Sequence, residues 1–122
     1  MIEIKNLNKF YNKGRQNQIC AVNNTTLSLP DSGMIAFFGK SGCGKTTLLN
    51  IIGGLDKPQS GQVLLDGESV SPTSYRTRNA KIGYIFQNYN LSKSMTVYEN
   101  VASSMRLCGV TDEDEIEQRT LA

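Results

Sequence analysis

Apolar and polar residues alternate along the first thirty positions. Ile2, Ile4 and Leu7 stand against Glu3 and Lys5, a period-two pattern that predicts a half-buried strand over Ile2–Lys9. Asn12-Lys13-Gly14-Arg15-Gln16-Asn17 reads as a polar loop. Ile19–Leu29 alternates again, with Val22, Leu27 and Leu29 facing inward. Two such strands joined by a loop predict an antiparallel sheet, and Pro30-Asp31-Ser32-Gly33 reads as the turn that closes it. The pattern then changes. Met34–Phe38 is apolar throughout, as expected of a strand buried on both faces. Leu48, Ile51, Ile52 and Leu55 fall at the spacing of one helical face, and Gly53-Gly54 ends that helix. After a loop over Asp56–Gly61, Val63–Leu65 and Ile82–Phe86 read as two further strands separated by a polar stretch. Thr96 with Glu99 three residues on predicts a capping box. The helix it opens carries Val97, Val101, Met105 and Cys108 on one face and stops at Gly109. Thr111-Asp112-Glu113-Asp114 offers a second start of the same kind, for a short helix with Ile116 and Leu121 as its large apolar members.

Composition removes several function classes. The chain has 122 residues, a net charge of +2 and no histidine. Histidine acid–base chemistry and most transition-metal sites are therefore excluded, and so small a net charge gives no electrostatic argument for a nucleic-acid partner. Cys20, Cys43 and Cys108 are odd in number and widely spaced, which argues against a disulfide framework or a zinc site. Cys20 and Cys108 read as core residues. Five of the eleven acidic residues fall within Asp112–Glu117, where they complement the dipole of a helix start. No apolar run approaches the roughly 20 residues that span a bilayer, and residues 1–30 lack the order of a signal peptide. Both observations predict a cytoplasmic chain.

The strongest chemical signal is Gly39-Lys40-Ser41-Gly42-Cys43-Gly44-Lys45-Thr46, which satisfies G-x-x-x-x-G-K-[ST] with an apolar run before it and a helical pattern after it. Glycines at this spacing let successive backbone N–H groups turn toward phosphate oxygens, and the following helix adds its N-terminal N–H groups and positive dipole end. Lys45 is placed to reach the β- and γ-phosphates, and the Thr46 hydroxyl to ligate magnesium. Gly39, Ser41, Gly42, Cys43, Gly44, Lys45, Thr46 and Thr47 are thus the candidate phosphate cradle.

With that loop in place, the chain resembles the nucleotide-binding domain of ABC transporters. The likeness is carried by the loop itself with Thr47-Leu48-Leu49 after it, and by Ile51-Ile52-Gly53-Gly54-Leu55-Asp56-Lys57-Pro58-Gln59-Ser60-Gly61. It continues in Ile82-Gly83-Tyr84-Ile85-Phe86-Gln87, in Met95-Thr96-Val97-Tyr98-Glu99-Asn100-Val101, and in the aromatic Tyr11 of the first hairpin. The resemblance implies ATP and Mg2+ as cofactors. It also implies that Tyr11 stacks on adenine and that Gln87, as the Q-loop residue, touches magnesium and the attacking water; Lys45 and Gln87 are then the catalytic candidates and Thr46 and Gln87 the metal candidates. Taken alone, Tyr11 also reads as an ordinary strand-end tyrosine and Gln87 as an ordinary polar strand end. The implied partners are a transmembrane permease subunit or domain and a second ATP-binding domain, with the chain peripheral on the inner face of the cell membrane. Ala21-Val22-Asn23-Asn24 and Ile52–Asp56 are similar in flavour to exporters of the macrolide, lipoprotein and antimicrobial-peptide types. The family's Leu-Ser-Gly-Gly-Gln signature, Walker B aspartate, catalytic glutamate and switch histidine have no counterpart in these 122 residues.

Three segments imitate nucleotide motifs. Asp66 after Val63-Leu64-Leu65 imitates a Walker B carboxylate, but Asp66-Gly67 is a hairpin-turn signal. Ser60-Gly61-Gln62 echoes the signature without its second glycine, and Asn12-Lys13-Gly14-Arg15 lacks the aspartate of a guanine-reading motif. The expected fold is α/β: a P-loop NTPase core, in part, with an N-terminal antiparallel β layer over 1–30, the P-loop core over 31–87 and the start of a helical subdomain over 88–122. Two rivals stay open at this point, another P-loop enzyme of the kinase or GTPase type and a module that holds nucleotide without turnover.

Overall fold

The computed structural model describes residues 1–71, 73 and 81–122. Part of the polar stretch expected between the two later strands, residues 72 and 74–80, lies outside them. The chain divides into two compact units, Met1–Ser74 and Tyr75–Ala122.

Among the described residues, the first unit is a four-stranded sheet with one helix. β1 (Ile2–Tyr11) and β2 (Ile19–Leu29) pair antiparallel as their alternation predicts, with Ile4 opposite Leu27 and Tyr11 opposite Ile19. β3 (Ser60–Leu65) joins the other edge of β1, again antiparallel, and β4 (Glu68–Ser69) follows it, giving the order β2-β1-β3-β4. The antiparallel layer is therefore wider than residues 1–30. Asp66 and Gly67 form the two-residue β3–β4 turn, both with positive φ (51° and 83°), the backbone that Asp-Gly favours. This is a turn aspartate, bonded to the Met1 ammonium, as expected from the Asp-Gly signal.

The alternation of burial along β1 breaks between Ile4 and Leu7, at the first of three register shifts against β2. Ile4 and Leu7 are both fully buried although three residues apart. Asn6 takes φ 48° between them and the register shifts there, so the bulge returns Leu7 to the inner face. Asn24, at φ 40°, lies between the inward Val22 and Leu27 of β2. α1 (Lys45–Ile52) buries Ile51 and Ile52 in one cluster with Ile4, Leu7, Val22 and Val63, and Leu48 packs at its edge. Each such side chain contributes about 1.5–3 kcal/mol on leaving water. Gly53 caps the helix and Gly54 (φ 66°) turns the chain away, which leaves Leu55 beyond the helix and exposed rather than on its face.

Bulge and strand meet at Gly61. A Cβ there would lie 2.3 Å from the Asn6 carbonyl oxygen and 2.5 Å from that of Lys5, and φ is +83°. Gly61→Ala is expected to destabilise the unit by at least about 2 kcal/mol, from left-handed strain plus displacement of β3 from β1. That corresponds to a melting point lower by roughly 10 °C in a unit of this size. Gly14→Ala, at φ +79° with open space around its Cβ, should show the strain alone, and thermal melts of the two variants compare them. Equal losses would mean that the approach at Gly61 has no consequence.

Two expected strands are not formed. Residues 34–38 and 82–86 are irregular, and Met34 and Phe38 are 98% and 92% exposed. An apolar run becomes a strand only when another backbone satisfies its N–H and C=O groups. No described strand pairs with either run. Phe37 alone of the first run packs against the core.

Two helices of the second unit lie wholly among the described residues. α2 (Val97–Leu107) starts at the predicted capping box: Glu99 N–H donates to Thr96 Oγ1 at 3.1 Å and Thr96 N–H to Glu99 Oε2 at 2.7 Å. The Thr96 N–H bond holds the Glu99 carboxyl below the usual carboxylate range. Asn100 fastens the approach to the helix, accepting from Ser92 N–H at 2.8 Å and donating to the carbonyls of Ser92 and Thr96. α3 (Glu113–Leu121) is capped by Asp112, whose side chain accepts from the N–H groups of Asp114 and Glu115, rather than by Thr111. Arg106 donates twice to the Glu113 carboxylate across the connection. Ala102 and Ile116 are the buried residues of these helices, while Val97 and Val101 of the expected apolar face are exposed. Cys20 and Cys108, expected in the core, are exposed and form no disulfide. No described helix is long and apolar enough to cross a membrane.

Candidate functional site

The glycine loop leads directly into α1, whose first residue is Lys45. Gly42 and Gly44 take φ +78° and +98°, values that admit glycine and strain other residues. Gly44 has a second constraint, since a Cβ there would lie 2.1 Å from the Ala21 carbonyl oxygen of β2. The loop is thus seated on the sheet through backbone contact. Gly39 lies under the Cys43 thiol, which a Cβ would meet at 2.5 Å. Cys43 is exposed, and its N–H donates to Lys40 O at 3.2 Å across the turn.

Lys45 folds back over this turn. Its ammonium donates to Gly39 O at 2.6 Å, to Lys40 O at 2.8 Å and to the Cys43 thiol at 3.4 Å. The opening N–H groups of a helix have no intrahelical acceptor, and the N-cap Gly44 offers them no side chain. Free N–H donors, a dipole end and a fixed cation therefore converge on one side of the loop, a donor set suited to a polyphosphate. Thr46 adds an exposed hydroxyl. Magnesium takes few protein ligands when phosphates supply the rest, so a hydroxyl at this place fits that ion.

A cleft of about 350 Å³ extends from the loop. Ser41, Gly42, Gly44, Lys45, Thr46 and Thr47 form one wall; Tyr11, Ile19 and Ala21, from the far ends of β1 and β2, form the other. Tyr11 is brought to the loop by the sheet register, and its hydroxyl lies 3.2 Å from Thr47 Oγ1. The Tyr11 hydroxyl also donates to Asp56 Oδ2 at 3.4 Å. Behind it, the buried Lys9 ammonium donates to Asp56 Oδ1 and to Lys57 O, both at 2.8 Å, and stands 5.3 Å over the Tyr11 ring. Burial pushes the Asp56 carboxyl up, but the hydrogen bonds from Lys9 and from Lys57 N–H outweigh it and hold the group below the usual carboxylate range. Of the sequence candidates, Tyr11 and the loop residues come together in the first unit. Gln87 lies in the second, exposed in a turn after the irregular run 82–86.

Lys9 and Asp56 were not singled out by the sequence reading. One signal for Lys9 exists: it follows Leu7 by two positions, so strand alternation puts a lysine on the inner face, where a charge needs a partner. The partner, 47 positions away, has no local signature.

What Lys45 folds over is a glycine loop opening a helix, with an aromatic ring on the facing wall of its cleft, and the proteins built this way are the P-loop nucleotide-binding domains. The chain belongs to the ABC transporter family, whose family model matches residues 22–121. It is 44% identical over 106 residues to the sulfate/thiosulfate import ATP-binding protein CysA of Pectobacterium atrosepticum, covering 87% of this chain and 30% of that protein. It is 42% identical over the same length to the CysA protein of Pseudomonas aeruginosa, with the same shares covered. Among solved structures, it is similar to the dimeric ATP-binding cassette MJ0796 in a post-hydrolysis state bound to ADP and Pi, with a TM-score of 0.86 and 35% identity. That match covers 99% of this chain and 54% of the cassette. The chain thus spans about a third of the length of these curated relatives and about half of the cassette. The fold is the α/β cassette fold of P-loop NTPases, in part. These relatives are import proteins by name, so the narrower likeness to macrolide, lipoprotein and antimicrobial-peptide exporters is corrected.

Proposed function

We propose that this chain is the ATP-binding part of an ABC transporter ATPase, which couples ATP binding and hydrolysis to transport across a membrane. The observation that carries the reading is the cleft in which Tyr11 faces the glycine loop. In this reading the polyphosphate lies on the N–H groups of residues 41–47 under the Lys45 ammonium, and adenine stacks on Tyr11, one face of which already carries the Lys9 ammonium. By the family resemblance, Thr46 and Gln87 would be the ligands of Mg2+, whose charge would offset that of the phosphates. A transmembrane permease subunit or domain carries the substrate, a second ATP-binding domain pairs with this one, and the assembly lies at the cytoplasmic face of the membrane. Membership of the family supports these partners, and the dimeric state of the MJ0796 cassette supports the pairing. The kinase and GTPase alternatives give way to the family match.

Tyr11 provides the test. Tyr11→Ala is expected to weaken ATP binding by about 1–3 kcal/mol, the worth of stacking a base on an aromatic ring. Tyr11→Trp keeps a platform and should cost much less. Calorimetric titration of both variants decides: equal losses would make Tyr11 a structural tyrosine.

A further inference from the structure

The end of β1 that carries Tyr11 is gripped by the loop leaving the P-loop helix. Gln59 bonds the Phe10 backbone at both of its polar groups: Phe10 N–H donates to Gln59 Oε1 at 2.8 Å, and Gln59 Nε2 donates to Phe10 O at 2.6 Å. Gln59 N–H donates to Asn8 O at 3.0 Å. Lys9, between them, ties the same strand end to Asp56 and to Lys57 O. Asp56 is itself fixed to the helix end, its N–H donating to Asn50 O at 3.2 Å. The residues on either side of Tyr11's strand end are thus referred to α1, the helix that opens on the phosphate cradle.

We propose that Lys9, Asp56 and Gln59 are positioning residues that set the distance and orientation of the Tyr11 ring relative to the phosphate loop, and so control how strongly the nucleobase adds to nucleotide affinity. The inference rests on Tyr11 being the base platform. Three features favour positioning over simple cohesion. Lys9 is a buried cation whose partner carboxylate also accepts from the Tyr11 hydroxyl, so one group holds both the strand and the ring. Gln59 substitutes for a strand partner at one residue, Phe10, immediately before Tyr11. The bonds join segments nearly 50 positions apart, and both lead back to the two walls of one cleft.

Two ligands separate the base from the phosphates: Mg–ATP and magnesium tripolyphosphate, which has the phosphates alone. The quantity read is the ratio of their affinities for each variant. Asp56→Asn keeps the shape and removes the charge that holds Lys9. Gln59→Glu keeps the acceptor for Phe10 N–H and opposes Phe10 O with a second oxygen. Each is expected to lower the ATP-to-tripolyphosphate ratio by at least about threefold, while tripolyphosphate binding, which also reports that the chain is folded, changes less than twofold. In a Tyr11→Ala background neither should lower the ratio further, and Lys9→Arg should retain more of it than Lys9→Met. If Asp56→Asn and Gln59→Glu weaken both ligands in proportion, or leave the ratio unchanged while Tyr11→Ala lowers it, the positioning role is overturned and the platform stands. If Tyr11→Ala itself leaves the ratio unchanged, the platform reading falls and this inference with it.

Discussion

Lys45→Ala should weaken ATP binding at least about tenfold. The argument starts from the ammonium's position. It is held by two backbone carbonyls of its own loop, at 2.6 and 2.8 Å, so its charge is fixed over the cradle before any anion arrives and little side-chain freedom remains to be lost on binding. Charge-assisted hydrogen bonds are worth about 1.5–3 kcal/mol each, and one of them already corresponds to tenfold or more in affinity. Truncation also releases Gly39 O and Lys40 O from the bond that draws the loop together, so the N–H groups of the cradle lose part of their alignment. Lys45 is only half-buried and takes no part in the apolar cluster, so the melting temperature should change little. Calorimetric titration of both proteins with Mg–ATP measures the effect. Unchanged affinity would remove the loop from the binding site.

The 122-residue chain by itself should release no phosphate at a measurable steady rate. Phosphoryl transfer needs an oriented water, a metal held on both sides and compensation of charge on the transferred group. Lys45 and Thr46 meet the part that belongs to the loop, and Gln87 is the one further candidate. Histidine is absent from the sequence. Asp66, the acid that best imitates a second metal ligand, sits in the β3–β4 turn. Four of the six glutamates have other engagements: Glu99 in its capping box, Glu113 with Arg106, Glu115 with Arg119 and Glu3 with Lys5. By family resemblance the γ-phosphate is also clamped by a Leu-Ser-Gly-Gly-Gln motif from a second copy, a sequence these residues do not contain. Binding without turnover is the expected state of this chain. Sustained phosphate release that disappears in Lys45→Ala from the same preparation would prove the expectation wrong.

The parts of the site legible in advance were those with short-range causes. The glycine loop was readable because its φ values, its lysine and its helix start are all specified within nine residues. The Asp66-Gly67 turn, the Thr96–Glu99 capping box and the Gly53-Gly54 helix end were readable for the same reason. Tyr11 was placed at the cleft only through family order; nothing in its neighbours distinguishes it from another strand-end tyrosine. The clamp from Asp56 and Gln59 onto Lys9 and Phe10 was missed because its halves are far apart in sequence.

Local sequence sets where the chain can turn, where helices can start and stop, and which loop has the chemistry to hold phosphate. These follow from glycine's freedom at positive φ, from side chains that cap local N–H groups, and from periodicity within a few residues. Tertiary structure alone decided which apolar runs became strands. Val63–Leu65 became part of one because the edge of β1 was open to it, while Met34–Phe38, richer in apolar residues, stayed irregular with Met34 and Phe38 in solvent. It also decided that a lysine in β1 would be buried and that the ring of Tyr11 would stand beside Thr47. Strand pairing and buried ion pairs are contracts between distant segments: their hydrogen bonds and charges are satisfied, or left costly, only by what the fold brings opposite them.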